Sequence, residues 1–186
     1  MSMQKQRCHW VNLKNPLYIK YHDEEWSKPK YNDQELYELL ILESFQAGLS
    51  WECVLNKREN FRKAFDNFDI EKIIKYDEKK IQELLNNGGI IRNKLKINAT
   101  IKNSFVFKSI QQEYGSFSKY IWAFSDNKII KENYKLRTSS PLSDMISKDL
   151  KKRGMSFVGT TIIYSYLQAI GILDAHSEEC FLFGET

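Results

Sequence analysis

The stretch Lys148-Asp149-Leu150-Lys151-Lys152-Arg153-Gly154-Met155-Ser156-Phe157-Val158-Gly159-Thr160-Thr161 decides the architecture. It reads as two helices joined by a tight turn. Gly154 and Gly159 permit backbone angles that other residues resist, and Phe157 and Val158 can fill the space between the helices. Amides at the start of the second helix point outward, which suits a phosphate. Lys148, Lys151, Lys152 and Arg153 lie just before the turn and can add counter-charge. A solvated basic face is the other reading of such a run.

Helical signals extend outward from this hairpin in both directions. Ser140-Pro141 opens its first helix, with Pro at the first helical position. The second runs from Thr160 to Gly171. Upstream, Asp33 is a candidate cap for a helix over 34–47, stopped by Gly48. Ser50 opens another through Phe65, and Asp69 a short one to Tyr76. Asp77 caps 78–87, ended by Gly88-Gly89; Ile91 to Tyr114 stops at Gly115, and Ser116 starts one through Phe124. Strand evidence is confined to Lys128–Leu136, which alternates in part and has no evident partner. The expectation is an all-α single domain over 1–186, with the option of two helical lobes, one built from the chain ends and one from its middle.

Composition agrees. The chain has 186 residues, 42% hydrophobic and 28% charged, which excludes a disordered tail and a membrane bundle. Rings of Trp, Tyr and Phe make up 13%, and the net charge of +4 permits an anionic partner without demanding one. No apolar run is long enough to span a bilayer, and Met1–Arg7 lacks the apolar core of a signal peptide. A cytoplasmic protein without a membrane is the expectation. Three cysteines make no disulfide framework and read as thiols.

Two groups of residues carry chemistry. Cys8 and His22 lie near one end of the chain, His176 and Cys180 near the other. On a helix, the i, i+4 spacing of His176 and Cys180 would put both on one face. Two thiolates and two imidazoles form a closed tetrahedral zinc set; scattered buried thiols and surface histidines are the alternative. The second group centres on Glu43. On a helical wheel it falls on the arc of Leu36, Leu39, Leu40 and Ala47, whereas Glu38 falls elsewhere. A carboxylate on an apolar face must be paired, hydrogen-bonded or functional. Trp10, Tyr18, Tyr21 and Trp26 precede this helix and Trp51 follows it. Such rings serve as core filler, or they stack on a flat cation whose charge the carboxylate offsets.

These motifs, taken in order, resemble the DNA-3-methyladenine glycosylase I family of the helix-hairpin-helix glycosylase superfamily. They are Cys8-His9-Trp10, Pro16-Leu17-Tyr18-Ile19, Tyr21-His22-Asp23-Glu24-Glu25-Trp26, Leu42-Glu43, Gln46-Ala47-Gly48-Leu49-Ser50-Trp51, Gly89-Ile90-Ile91-Arg92, Lys151-Lys152-Arg153-Gly154 and Phe157-Val158-Gly159-Thr160-Thr161. The resemblance spans Cys8 to Cys180. It implies a structural zinc on Cys8, His22, His176 and Cys180, tying the chain ends. It implies that Glu43 recognises the extruded base, within an aromatic pocket of Trp10, Tyr18, Tyr21 and Trp51. Gln46 and Leu49 match residues near the gap left in the duplex. Gly154, Phe157, Gly159 and Thr160 belong to the hairpin that anchors the DNA backbone. Ser27, Ser44-Phe45 and Met155-Ser156 depart from the family's usual residues, at a Gly position, at the DNA-facing rim and in the hairpin.

The implied activity is hydrolysis of the N-glycosidic bond of 3-methyladenine in double-stranded DNA, the first step of base excision repair. No motif places a Schiff-base lysine, so strand cleavage is not expected. Asp174, near the end of the hairpin's second helix, is not expected to be catalytic. No obligate protein partner is evident. Two other classes remain: a non-enzymatic binder of damaged DNA, and a zinc hydrolase, which requires an open metal position.

Overall fold

The computed structural model describes residues 5–132 and 137–185. Its centre is α2 (Asp33–Gln46), in which every residue from Leu36 to Phe45 is buried. Leu36, Leu39, Leu40, Ile41 and Leu42 are almost wholly withdrawn from water, each worth about 1.5–3 kcal/mol. Asn32, not Asp33, caps this helix, accepting from the amides of Gln34 and Glu35. The Asp33 carboxylate instead accepts from the amides of Phe117 and Ser118, each at 2.8 Å. It thereby helps cap α8 (Phe117–Ala123) from across the core.

The helix expected from Ser50 to Phe65 is two helices, α3 (Trp51–Leu55) and α4 (Arg58–Ala64). The break falls where Asn56 Oδ1 accepts from Asn15 Nδ2 and Arg58 turns to Glu25 and Glu38. Next come α5 (Ile70–Ile73), α6 (Glu78–Asn86) and α7 (Lys94–Tyr114). Asn93 caps α7, and Gly115 ends it with a left-handed φ of +82°. One helix has no counterpart in the sequence reading: α1 (Pro16–Glu24), with Asn15 as cap and Pro16 in its first turn.

α9 (Pro141–Lys152) and α10 (Thr160–Ala169) form the hairpin. Ile163, Tyr166 and Leu167 of α10 are buried, and Tyr166 Oη donates to the Leu36 carbonyl of α2 at 2.9 Å. Beyond α10 the chain forms β2 (Leu173–Asp174), which pairs in parallel with β1 (Ile130–Lys131). The all-α expectation is corrected to this extent. Lys128–Leu136 does have a partner; residues 133–136 of it lie outside the described residues.

The two ends of the chain meet. Phe181 N donates to Gln6 O at 2.8 Å, and Ser27 N and Lys30 N donate to the carbonyls of Gln168 and Ile170. At that crossing a Cβ on Gly171 would stand 2.4 Å from the Lys28–Pro29 backbone, so only glycine fits. Ser27, at the family's glycine position, holds φ at +61°. Its hydroxyl lies 3.3 Å from both Leu173 O and Asp174 Oδ1, contacts that glycine would lack.

Candidate active site and metal centre

α2 carries two buried carboxylates in opposite situations. Glu38, which the helical wheel sets apart from the core arc, is nonetheless buried. It is matched by charge: Arg58 Nε donates to it at 2.6 Å and Arg62 Nη2 at 2.7 Å. Glu43 is 2% exposed, and its Oε2 has no hydrogen-bond partner among the described residues. Burial pushes its carboxyl up to about 8. In the free protein at neutral pH it is therefore mostly protonated, the state a desolvated, unpaired acid adopts.

Glu43 faces a cavity of about 220 Å³ lined by Trp10, Tyr18, Tyr21, Trp26, Gln46, Trp51, Ser165 and Gln168. All four ring residues expected at the base site are there. Trp10 packs on Tyr18 at 5.4 Å between centroids, and Tyr21 on Trp51 at 5.2 Å. Burial, aided by Glu52 and Glu43, pushes the Tyr18 phenol up to about 12; burial raises Tyr21 further. Both remain neutral hydrogen-bonding groups. Gln46, expected near the gap in the duplex, also lines the cavity. Trp26, Ser165 and Gln168 are not among the expected site residues. Ser165 and Gln168 are a polar i, i+3 pair in α10 beyond Thr160 and Thr161 of its first turn, a signal the sequence does contain.

Four buried side-chain nitrogen or oxygen atoms lack a hydrogen-bond partner among the described residues: Glu43 Oε2, Gln46 Oε1, Trp51 Nε1 and His176 Nε2. Leaving such an atom unpaired costs about 1–3 kcal/mol. Three of them belong to residues lining the cavity. They offer two acceptors and one donor, the complement of a purine edge with its exocyclic amine and ring nitrogens.

The fourth, His176 Nε2, lies beside a separate cluster. The ligand atoms of Cys8, His22 and Cys180 lie within 4.8 Å of one another and all three residues are buried. Cys180 Sγ is 3.5 Å from His22 Nε2. His176 does not sit on a helix with Cys180, contrary to the i, i+4 reading. It follows β2, and the chain then turns, with Cys180 N donating to Ser177 O. Its ring nevertheless packs edge-on against His22 at 5.5 Å. Each imidazole has its Nδ1 held by a carboxylate: His22 by Asp23 at 2.8 Å and His176 by Asp174 at 2.7 Å. Such partners fix the tautomer that leaves Nε2 as a ligand atom. Asp174 thus orients the His176 ring. The donor types and burial of Cys8, His22 and Cys180 fit a metal ion, and His176, outside that group of three, borders it with an unpartnered Nε2.

The cluster and the cavity share walls. Trp26 stacks on His22 at 6.0 Å and meets His176 at 4.8 Å. Trp10 meets His22 at 5.3 Å and Trp26 at 4.8 Å.

In the hairpin, Gly154 has φ +107° and Phe157 φ +56°. Val158 and Met155 are buried between the helices, whereas Phe157 is half-buried. Of the two residues that depart from the family pattern here, Met155 is a core residue and Ser156 is half-buried. Asn103 of α7 clamps Ser156, bonding both its amide and its carbonyl at 2.9 Å. Gly159 caps α10 without a side-chain hydrogen bond, and a Cβ there would meet nothing within 4 Å. No side chain at the cap position satisfies the first amides of α10. The Thr160 hydroxyl is engaged internally, with Ser143 at 2.9 Å and with Asp144. Arg153 is likewise committed, to Glu113 at 2.6 Å and Asp149 at 2.7 Å. Only Lys148, Lys151 and Lys152 of the basic run stay exposed.

The rim near the cavity is formed by Gly48, exposed Leu49 and the turn after α2. Ser44 and Phe45 are buried, so their departure from the family pattern falls in the core. Ser44 Oγ donates to Leu40 O, and Phe45 packs on Phe61.

A profile of the methyladenine glycosylase family matches residues 10–183. The DNA-3-methyladenine glycosylase of Haemophilus influenzae is 41% identical over 178 residues, 94% of this chain and 96% of that one. A crystal structure of a 3-methyladenine DNA glycosylase I superposes with a TM-score of 0.91 at 45% identity, covering 95% of this chain and 98% of that one. The Staphylococcus aureus 3-methyladenine DNA glycosylase I, solved for its recognition of 3-methyladenine, gives 0.87 at 35%, covering 90% and 92%. With nearly the whole sequence matched and the backbone path shared, the chain belongs to the methyladenine glycosylase family.

Proposed function

We propose that this chain excises 3-methyladenine from double-stranded DNA by hydrolysis, with Glu43 as the residue that recognises the charged base. The observation that carries this reading is the contrast on α2: Glu38 has two arginines, while the Oε2 of Glu43 has only a ring-lined cavity. A purely structural buried carboxylate would have been paired like Glu38.

The alkylated nucleotide leaves the stack, at a cost of a few kcal/mol that is lowest for a damaged base. Its ring stacks against Trp10 and Trp51, with Tyr18 and Tyr21 completing the wall. Arrival of a fixed positive charge lowers the Glu43 pKa, and its proton passes to solvent. The carboxylate then accepts from the exocyclic amine, and Gln46 Oε1 is a second acceptor. Neutral adenine gives no such ion pair. The N-glycosidic bond breaks with its electron pair moving to the base, which leaves as neutral 3-methyladenine. The Glu43 charge stabilises the sugar cation left behind. Water adds its oxygen to the sugar carbon and releases a proton, giving an abasic site. Among the described residues no lysine lines the cavity, and Lys96 Nζ is held by the carbonyls of Phe45 and Ala47, consistent with a monofunctional enzyme.

Cys8, His22, His176 and Cys180 would hold zinc as a closed set, supplying a cross-link between the chain ends with no position for a reacting water. The hairpin at Gly154, Phe157, Gly159 and Thr160 holds a backbone phosphate on its amides, and Leu49 sits at the gap in the duplex. The whole chain acts as one glycosylase domain in a reducing cytoplasm, which keeps the thiols available. The test is a product assay on methylated duplex. Free 3-methyladenine should appear without strand cleavage, and Glu43→Gln should abolish most of it. DNA binding without base release would leave only a damage-binding protein.

A further inference from the structure

α7 stands between the rim and the hairpin and touches both. Lys96, in its first turn, is buried, and its ammonium caps the end of α2 through Phe45 O at 2.7 Å and Ala47 O at 2.6 Å. The same ammonium lies 5.9 Å from the centre of the Phe157 ring. Nearly two and nearly three turns further along, Lys102 Cε and Val106 Cγ2 flank Gly154, 3.9 and 3.8 Å from where its Cβ would be, and Asn103 clamps Ser156. The outer face of this segment is exposed. Leu95, Asn98 and Lys102 follow at i, i+3 and i+7, so they share one stripe. Leu95 is 70% exposed, at the end of the stripe nearest the rim. Lys102 has no ion pair among the described residues.

We infer that this stripe of α7 is a third DNA-contacting element, with Lys102 on a backbone phosphate next to the one held by the hairpin and Leu95 against the sugar edge near the extruded nucleotide. Leu95 and Lys102 are separated by about 10 Å along the helix axis, the rise of about three base pairs. That distance bridges the gap to the anchored phosphate. The partner is duplex DNA because the stripe continues the surface formed by the rim and the hairpin, and its free charge is positive. The inference rests on the proposed roles of those two elements.

The experiment measures equilibrium binding of the full-length protein to a duplex carrying a tetrahydrofuran abasic-site analogue, across a range of salt. Lys102→Gln should weaken binding several-fold and reduce the slope of log K against log salt by about 0.9, one phosphate's worth. Leu95→Ala should weaken binding with the slope unchanged. Lys119→Gln, an exposed lysine beyond the far end of α7, should change neither. Gly159→Ala tests the hairpin separately, since a methyl group there has room in the free protein and would displace a phosphate. A full loss for Gly159→Ala with wild-type slope for Lys102→Gln overturns the α7 inference and leaves the hairpin reading intact. No loss for Gly159→Ala overturns the hairpin reading itself. Equal losses for Lys102→Gln and Lys119→Gln would show only a diffuse effect of net charge and would also overturn the inference.

Discussion

Glu43→Gln should make the protein more stable as it destroys the activity, and the gain should depend on pH in a calculable way. The Glu43 carboxyl is pushed from an ordinary 4.5 up to about 8 by burial. In the unfolded chain it ionises near its ordinary value. Between the two, the folded chain keeps a proton that the unfolded chain has released. Stability from this group is fully present below pH 4.5 and falls as pH rises, by about 1.36 kcal/mol per unit within the window. Integrated from pH 5 to pH 7 the loss is about 2.5 kcal/mol, and it levels off above pH 8 near 5 kcal/mol. The amide introduced by Glu43→Gln does not titrate in either state. Every other group titrates alike in both proteins and cancels in the difference. Urea unfolding at pH 5, 6, 7 and 8, extrapolated linearly, should therefore show the variant gaining on the wild type by about 2.5 kcal/mol over the first two units. Base release from methylated duplex should fall by about 100-fold or more, as when one preorganised charge-stabilising group is lost. Parallel stability curves would mean that the carboxyl is solvated or already ionised in the free protein, and the proposed proton release on base binding would then be refuted.

Glu38→Gln should behave in the opposite sense. It leaves Arg58 and Arg62 facing an uncharged partner and should cost about 3 kcal/mol in denaturant unfolding, with the affinity for free 3-methyladenine little changed. Lys96→Met removes the donor from two carbonyls at the end of α2, and a loss of about 2 kcal/mol is expected. Its excision from duplex DNA should fall more than its binding of the free base, because the rim is displaced while the cavity wall remains. Cys180→Ser should abolish stoichiometric zinc in elemental analysis. It should lower Tm by about 6–12 °C, the equivalent of about 3 kcal/mol in a chain of this size. Protein that remains folded should keep measurable base release.

Much of the fold is legible in the sequence because it depends on local chemistry. Ser140-Pro141, Asp69, Asp77 and Ser116 mark helix starts correctly, since a short side chain satisfying its own helix's amides is a nearest-neighbour event. Asp33 misleads because its carboxylate serves α8, 84 and 85 residues away, while Asn32 does the local work. The same limit hides β1 and β2, whose pairing is between distant segments only two residues long. Glu43 stands out because an acid on a leucine arc is anomalous at helical spacing. That Glu38 is buried as well is not readable, since its burial depends on Arg58 and Arg62 folding back from another helix. His176 and Cys180 are associated in the sequence through a helical spacing that the structure does not contain. A turn after β2 separates them instead, and it is Cys8 and His22, from the other end of the chain, that meet Cys180.

The arrangement of the four orphaned atoms explains why pocket and metal cluster occur together in so small a chain. Three unpaired polar atoms around the cavity, one of them on a buried acid, are destabilising until a base arrives. The walls of that cavity cannot be held by the ligand before it binds. Trp10 and Trp26, two of the walls contributed by the N-terminal segment, both rest on His22; Trp26 also rests on His176. His22 and His176 are in turn aimed by Asp23 and Asp174, the latter in the β-strand that follows α10. An ion joining Cys8, His22, His176 and Cys180 would therefore fix the two tryptophans against the cavity at the point where the chain ends meet. Its stabilisation would act where the unliganded cavity weakens the fold, at a distance from the reacting bond. A closed ligand set of that kind would suit an enzyme whose chemistry requires no metal-bound water.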